Sequence, residues 1–300
     1  MEDTDFNLRQ GEGCMVGEFT AMASPCEVLI DDCDPILAKH ILQHVVRECR
    51  RIERQFSRYR NDNIVHKINH ARGQPVSIDE ETFKLLSFAQ TCYVMSDGLF
   101  DITAGVLNRV WHFDGSDRLA SEAEVQSCLP LVGFDKIQFN ATMVTLPAQM
   151  SIDFGGIAKE YAVDMCAQHA LSLAPHTSVL INFGGDIAVS QPRKKQTFWR
   201  VGISHPDPRQ TEPVMVQIAR GGLATSGDAN RFLIKDGVRY SHILNPKTGY
   251  PITAAPASVT VAGENCTQAG LLATLSLLQG NNAEAFLRAQ GLQHWCIYHQ

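Results

Sequence analysis

The sequence has no Cys-x-x-Cys pair, no apolar run approaching the about 20 residues that span a bilayer, and no block of like charge. Each absence removes a class of protein. Nine cysteines, an odd number without clustered spacing, argue against a disulfide framework or a zinc site and point to buried free thiols. A formal net charge of −6 spread along the chain lacks the basic stripe of a nucleic-acid binder. The start, Met-Glu-Asp-Thr-Asp-Phe, is acidic where a secretion signal needs a basic region and an apolar run, so a cytoplasmic chain is expected. There is neither a Gly-x-Gly-x-x-Gly fingerprint nor a Walker lysine motif, so any nucleotide is bound by another route. The other histidines besides His242 show no metal-ligand spacing.

What is present describes an ordinary globular protein: 44% of residues are apolar and 19% charged, and 300 residues allow one large or two intertwined domains with ample core. Asp34-Pro35 supplies an N-cap and a first-turn proline ahead of Leu37, Ile41, Leu42, Val45, Cys49, Ile52 and Phe56 at helical spacing. That helix puts Arg50, Arg51, Glu53 and Arg54 on its solvated side. A second helix is expected from about Asp79 to Ser96 with Phe83, Leu86, Ala89 and Tyr93 inward. A third follows Gly155-Gly156 with Ala158, Tyr161, Ala162 and Met165 on one face, and two more cover Thr267–Leu278 and Asn282–Ala289. Strands are read at Ser178–Asn182, Trp199–Ile203 and Ser258–Ala262. Helices and strands mix without a regular β-α-β beat, which favours an α+β fold. Residues 1–17 are expected to form an N-terminal tail, and 18–300 one domain of two intertwined lobes.

Several stretches ask for more than packing. Ser241–Pro251 combines His242, an Asn-Pro turn, Lys247 and a Thr-Gly-Tyr-Pro bend, a rigid loop that presents His242 and Lys247 to something or is merely a turn. Asp153-Phe-Gly-Gly-Ile-Ala-Lys159 opens a helix whose paired glycines let an anion approach backbone N–H groups, unless they serve close packing alone. Asp153 then caps the helix or binds a polar ligand group, and Lys159 can reach a phosphate. Asn182-Phe-Gly-Gly-Asp186 runs a strand into a Gly-Gly bend, read as a bulge where two backbones pass closely or as the place of a ligand carboxylate, Asp186. Asp101, between Phe100 and Ile102, must hydrogen-bond nearby backbone or hold a ligand, because a lone buried carboxylate is costly. Ala224-Thr-Ser-Gly-Asp228 reads as a Gly turn whose hydroxyls, on Thr225 and Ser226, hold a phosphate or cap the turn itself.

Taken in order, these stretches resemble the FAD:protein FMN transferase family, the ApbE-type flavin transferases. The matching pieces are Met22-Ala-Ser24, Phe56-Ser-Arg-Tyr59, Gly98–Thr103 with Trp111, and Asp153–Lys159 with Tyr161 and Asp164. They continue through Asn182–Asp186, Ala224–Asp228, His242–Pro251 and Ala273-Thr274. The resemblance implies an α+β fold with a flavin site between two lobes, and a reaction in which FAD is split at its pyrophosphate. FMN goes to a Thr or Ser of a target protein and AMP leaves. It also implies that Met22, Tyr59, Leu99, Phe100, Asp101, Asp153 and Lys159 contact FAD, and that His242 is a base or phosphate contact. Its ordinary pKa of about 6.5 suits either role.

One departure stands out. The family pattern is Ala-Asp-x-x-Ala-Thr, whose Asp and Thr bind Mg²⁺ together with a backbone carbonyl of the Gly-Gly-Ile-Ala loop. Here Thr274 and the Gly156 carbonyl remain, but Gly270 stands in place of the Asp. A weakened Mg²⁺ site is expected unless Glu264 or Asp228 compensates, and Gly270→Asp is expected to strengthen it. A smaller departure puts Glu160 where the family favours Gly. Besides Mg²⁺-assisted transfer to a flavin-accepting protein, the residues therefore leave open an FAD-binding or flavin-delivery protein with weak catalysis, and an FAD pyrophosphatase.

Overall fold

Two-residue alternation of apolar side chains builds the centre of the molecule. The structure is a computed structural model that describes residues 5–207, 209–228 and 232–298. It opens with three antiparallel strands in sequence order, β1 (Asn7–Gln10), β2 (Cys14–Ala21) and β3 (Ser24–Asp31). Much of the segment expected to be a free tail is therefore sheet. In β2, Cys14 and Val16 join one hydrophobic cluster and Met15 another, the signature of a strand buried on both faces.

The first long helix, α1 (Pro35–Phe56), starts as its sequence demands. Asp34 Oδ1 accepts the N–H groups of Ile36 and Leu37, each at 3.0 Å. Asp34→Ala should cost about 1 kcal/mol, read as a lower urea midpoint at unchanged slope. An unaltered midpoint would show that the cap contributes nothing. The polar side of α1 is more than solvated. Arg51 holds both Glu48 and Glu81, and Glu53 accepts the Met22 N–H.

Next come α2 (Ile64–Asn69), β4 (Val76–Ser77) and α3 (Glu80–Met95), the last capped by Asp79. In α3, Leu86 and Ala89 are buried as expected, whereas Phe83 and Tyr93 are half-buried and Leu85 and Cys92 complete the inner face. A 3₁₀ helix over Ile102–Arg109 and α4 (Glu122–Cys128) precede β5 (Gln138–Phe139) and β6 (Met143–Thr145), which join β4 in a small sheet. The remaining elements are α5 (Ala158–Leu173), β7 (Val179–Phe183), β8 (Asp186–Val189), the hairpin of β9 (Trp199–Ile203) with β10 (Val214–Ile218), and β11 (Gly221–Gly227). They are followed by β12 (Phe232–Lys235), β13 (Val238–Ser241), β14 (Ser258–Gly263), α6 (Cys266–Leu278), α7 (Ala283–Ala289) and β15 (His294–Ile297).

The main sheet has the order β1-β2-β3-β7-β8-β11-β14-β15, with all its pairings antiparallel. Val179, Ile181, Phe183, Ala224, Val259 and Val261 share a core with α1, α5 and α6. Leu180, Ile187, Val189 and Leu223 belong to a second cluster with Trp199, Ile203 and Ile218. This is an α+β fold, helices on one face of an antiparallel sheet. Because α5 packs against α1, α6 and the sheet together, its buried set is Glu160, Ala162, Val163, Cys166, Ala167 and Ala170. Tyr161 and Met165, expected inside, lie at the margin, and the Tyr161 hydroxyl donates to Glu81 at 2.8 Å. All nine cysteines are free and seven are buried. Among the described residues, no helix is long and apolar enough to cross a membrane.

Candidate functional site

The end of α1, the turn before the 3₁₀ helix and the start of α5 meet at one place. Asp153 ties them together. Its Oδ1 accepts the Gly155 N–H at 2.8 Å, its Oδ2 lies 3.0 Å from an Arg58 nitrogen, and its own N–H donates to Ile102 O at 2.8 Å. Phe56 and Phe154 stack edge to face beneath, 5.5 Å between centroids. No side chain caps α5, and Gly155 and Gly156 ahead of it are exposed. A positive helix end therefore opens on accessible backbone. The Phe100 ring lies over Gly156 at the start of α5, where a Cβ would sit at ordinary contact distance, 3.4 Å.

Around that opening stand several of the residues named from the sequence. Tyr59 is 75% exposed, with the Arg58 guanidinium 4.7 Å over its ring. Met22 sits in the turn between β2 and β3 at φ 51°, held there by its N–H to Glu53 Oε1 at 2.7 Å. Leu99 and Phe100 precede Asp101, whose role is internal. Asp101 Oδ1 accepts the Thr103 N–H and hydroxyl at 2.8 and 2.6 Å, and Oδ2 accepts the Phe134 N–H at 3.1 Å. Burial raises its pKa, opposed by those donors from Thr103 and Phe134. Of the two sequence readings, the structure realises the one in which Asp101 holds backbone.

Beside the first turn of α5 lies a buried charged group that was only partly legible. Lys159 Nζ pairs with Asp186 Oδ2 at 2.7 Å, and Asp186 Oδ1 also accepts the Thr225 N–H at 3.3 Å. Burial pulls the Lys159 ammonium down, but the Asp186 carboxylate outweighs it and the net shift is upward. Asp186 itself is raised, because burial outweighs the stabilisation from Lys159. It follows Gly184 and Gly185, which form a tight two-residue hairpin between β7 and β8 rather than a bulge, with φ of 61° and 98°.

Glu160 is 8% exposed, and its Oε2 is buried without a hydrogen-bond partner. Burial, with Asp186 adding to it, pushes its carboxyl up to about 8. Its neighbour across the helix interface is Gly270 of α6. A Cβ there would lie 2.6 Å from Glu160 Cγ and 2.9 Å from Oε1. The two departures from the family pattern are thus in contact with each other. The residues expected to compensate for Gly270 lie otherwise: Glu264 is exposed at the approach to α6, and Asp228 is ion-paired with Arg239 at 3.0 Å.

Ala224–Gly227 is strand β11, not a turn, because it is hydrogen-bonded into the sheet, to β14 through Gly227 and to β8 at its start. Consecutive strand residues face opposite ways. Ser226 Oγ lies 2.9 Å from Thr274 Oγ1 on α6, while Thr225 Oγ1 lies 2.8 Å from Thr260 Oγ1. Only Ser226 therefore turns toward Thr274, which follows Gly270 by about one helical turn.

The His242 loop docks on the same turn that carries Leu99 and Phe100. Lys247 Nζ pairs with Asp97 at 2.7 Å, and the Trp111 indole N–H donates to Gly249 O at 2.8 Å. Asn245 organises the bend, its side chain accepting the Lys247 N–H at 2.8 Å and its carbonyl the Gly249 N–H at 2.7 Å. Gly249 has φ 75°, and a Cβ on it would strike Val125 at 2.6 Å. His242 is half-buried, edge-on to Phe113 at 6.3 Å. A small cavity lined by Asp228, Arg239, Ser241, Ile243 and Leu277 adjoins the loop; of the candidates named from the sequence, Asp228 lines it.

Residues 22–296 match the ApbE family. The chain belongs to the ApbE family. It is 29% identical over 280 residues to a FAD:protein FMN transferase of Treponema pallidum, covering 85% of this chain and 76% of the relative. It is 28% identical over 251 residues to one of Vibrio cholerae, covering 81% and 74%. The ApbE protein of Thermotoga maritima superposes with a TM-score of 0.84 at 29% identity, over 97% of this chain and 93% of that one. The flavin transferase ApbE of Vibrio cholerae has the same fold, with a TM-score of 0.82 at 23% identity, over 98% and 95%. Within this ApbE-family chain, sequence reasoning passed over Arg58 and Glu160 as site residues. The Arg-Tyr pair at 58–59 was a signal for the first. A charged residue among the apolar positions of α5 was a signal for the second.

Proposed function

We propose that this chain moves the FMN half of FAD to a Thr or Ser hydroxyl of a target protein and releases AMP. The observation that carries the reading is the docking of the His242 loop, through Lys247 and Asp97, on the turn whose Phe100 touches the open start of α5. That docking supports a pyrophosphate place at the start of α5 acting with a proton acceptor on the His242 loop. The names of the relatives support the same chemistry. In this reading FAD lies against Met22, Tyr59, Leu99, Phe100 and Asp153, with Asp101 anchoring the end of that turn to Thr103 and Phe134. Lys159 keeps its pair with Asp186 beside the first turn of α5, and Ser226, rather than Thr225, supplies a hydroxyl. The target oxygen attacks the phosphorus of the FMN half, the P–O bond to the AMP phosphate breaks, and the hydroxyl proton passes to His242.

Thr274 and the Gly156 carbonyl are the oxygen ligands we assign to Mg²⁺. The donor chemistry fits: the region is rich in hard oxygens and contains a buried carboxyl oxygen without a partner. Among the described residues no three His, Cys, Asp or Glu side chains group as metal ligands. That suits Mg²⁺, which usually takes one or two carboxylates, better than zinc. Bound there, Mg²⁺ would neutralise charge on the pyrophosphate.

The test is incubation of the full chain with FAD and Mg²⁺, with and without a Thr-containing acceptor peptide, followed by mass spectrometry and nucleotide chromatography. A peptide gaining one FMN with AMP released is the expected result. Free FMN plus AMP would make the protein a pyrophosphatase, and intact FAD in a tight complex would make it a flavin-binding protein.

A further inference from the structure

We propose that Glu160, on α5, is the carboxylate that holds the divalent cation in this chain, and that Gly270 on α6 is glycine to make room for it. The inference rests on the flavin-transfer reading for the purpose of the cation, but its argument is local. Glu160 Oε2 is buried and lacks any hydrogen-bond partner, a state that natural structures rarely leave uncompensated. The nearby cation does not resolve it, because Lys159 is spent on Asp186 at 2.7 Å. Asp164, one helical turn along α5, is fully engaged by the start of α6. It accepts the N–H groups of Cys266 and Thr267 at 2.8 Å each and the Thr267 hydroxyl at 2.6 Å. Three carboxylates, Glu160, Asp164 and Asp186, therefore share one lysine.

Gly270, which Glu160 faces, leads along α6 to further hard oxygens. Gly270 and Thr274 are four apart on α6 and share a face, and Thr274 Oγ1 is already 2.9 Å from Ser226 Oγ. Glu160 Cγ lies 2.6 Å and Oε1 2.9 Å from the place a Cβ at 270 would take. A carboxylate reaching in from α5 and one reaching in from position 270 are thus mutually exclusive occupants of one space. The charge is kept, and the helix that carries it is exchanged.

Mn²⁺ is a suitable probe, since its binding is read directly from loss of the free-ion electron paramagnetic resonance signal and its displacement by Mg²⁺ shows a shared site. The full chain, with and without FAD, should bind one Mn²⁺ that Mg²⁺ displaces. Glu160→Gln, close in shape and folded by circular dichroism, should lose more than about tenfold in Mn²⁺ affinity, since even outer-shell changes at metal sites cost about 10–100-fold. The reciprocal variant E160G/G270D should regain most of it by returning the carboxylate to α6. Undiminished Mn²⁺ binding by E160Q would overturn the proposal, and so would absence of Mn²⁺ binding by the unaltered chain. FAD cleavage is followed separately by AMP release. Loss of that activity in the unaltered chain, with Mn²⁺ binding intact, would sink the transferase reading and leave the cation site standing.

Discussion

His242→Ala is expected to lower FMN transfer by about 10²–10⁴-fold, the usual contribution of a positioned acid–base group, while FAD binding stays close to that of the unaltered chain. The split between the two readouts follows from how the loop is built. Its bend is held by Asn245, by the Lys247–Asp97 pair and by the Trp111 bond to Gly249, and Gly249 seats it against Val125. None of these contacts uses the imidazole, whose ring stands edge-on to Phe113. The proposed flavin contacts, Met22, Tyr59, Phe100 and Asp153, belong to other segments. Single-turnover AMP release and quenching of flavin fluorescence measure the two quantities. Unchanged turnover would remove His242 from the mechanism. Equal loss of both would make it a binding residue rather than a proton acceptor.

Gly270→Asp alone should destabilise the cation-free protein by about 3 kcal/mol or more, the opposite of what the family pattern suggests. Overpacking a filled interface costs about 1–3 kcal/mol, and here the added Cβ would lie 2.6 Å from Glu160 Cγ. The new carboxylate would also be buried beside Glu160, with no additional cation to face it. Restoring space with Glu160→Gly should recover most of the loss, giving a large coupling energy in a double-mutant cycle of urea unfolding. Additive effects of the two substitutions would show that residues 160 and 270 do not compete for the same space. A fully stable G270D protein would do the same.

Much of this arrangement was legible in the sequence because its causes are local. An Asp-Pro start, helical spacing from Leu37 to Phe56 and the Asp79 cap define α1 and α3 through contacts within a few residues. The Gly-Gly openings, the Asn-Pro-Lys-Thr-Gly bend and the strand at β7 are likewise properties of short segments. The candidate site residues near α5 followed from the family resemblance, and the structure brings Tyr59, Phe100, Asp153 and Gly156 to one opening through Arg58 and Phe100. The N-terminal strands were missed because β1 and β2 gain their pairing from each other and from β3, partners that no short window contains.

The sequence alone determined where helices begin, where turns bend, and to which family the order of motifs points. These depend on capping, turn dihedrals and residue type, all encoded within a few positions. Only the tertiary structure decided that Thr225 and Ser226 face opposite sides of a sheet, that Asp101 accepts from Thr103 and from the distant Phe134 backbone, and that Lys159 belongs to Asp186. It alone put Glu160 against Gly270, residues 110 positions apart in the chain. Such pairings arise when separate helices and strands pack, and two substitutions that each look like a loss become one exchange of volume and charge across an interface.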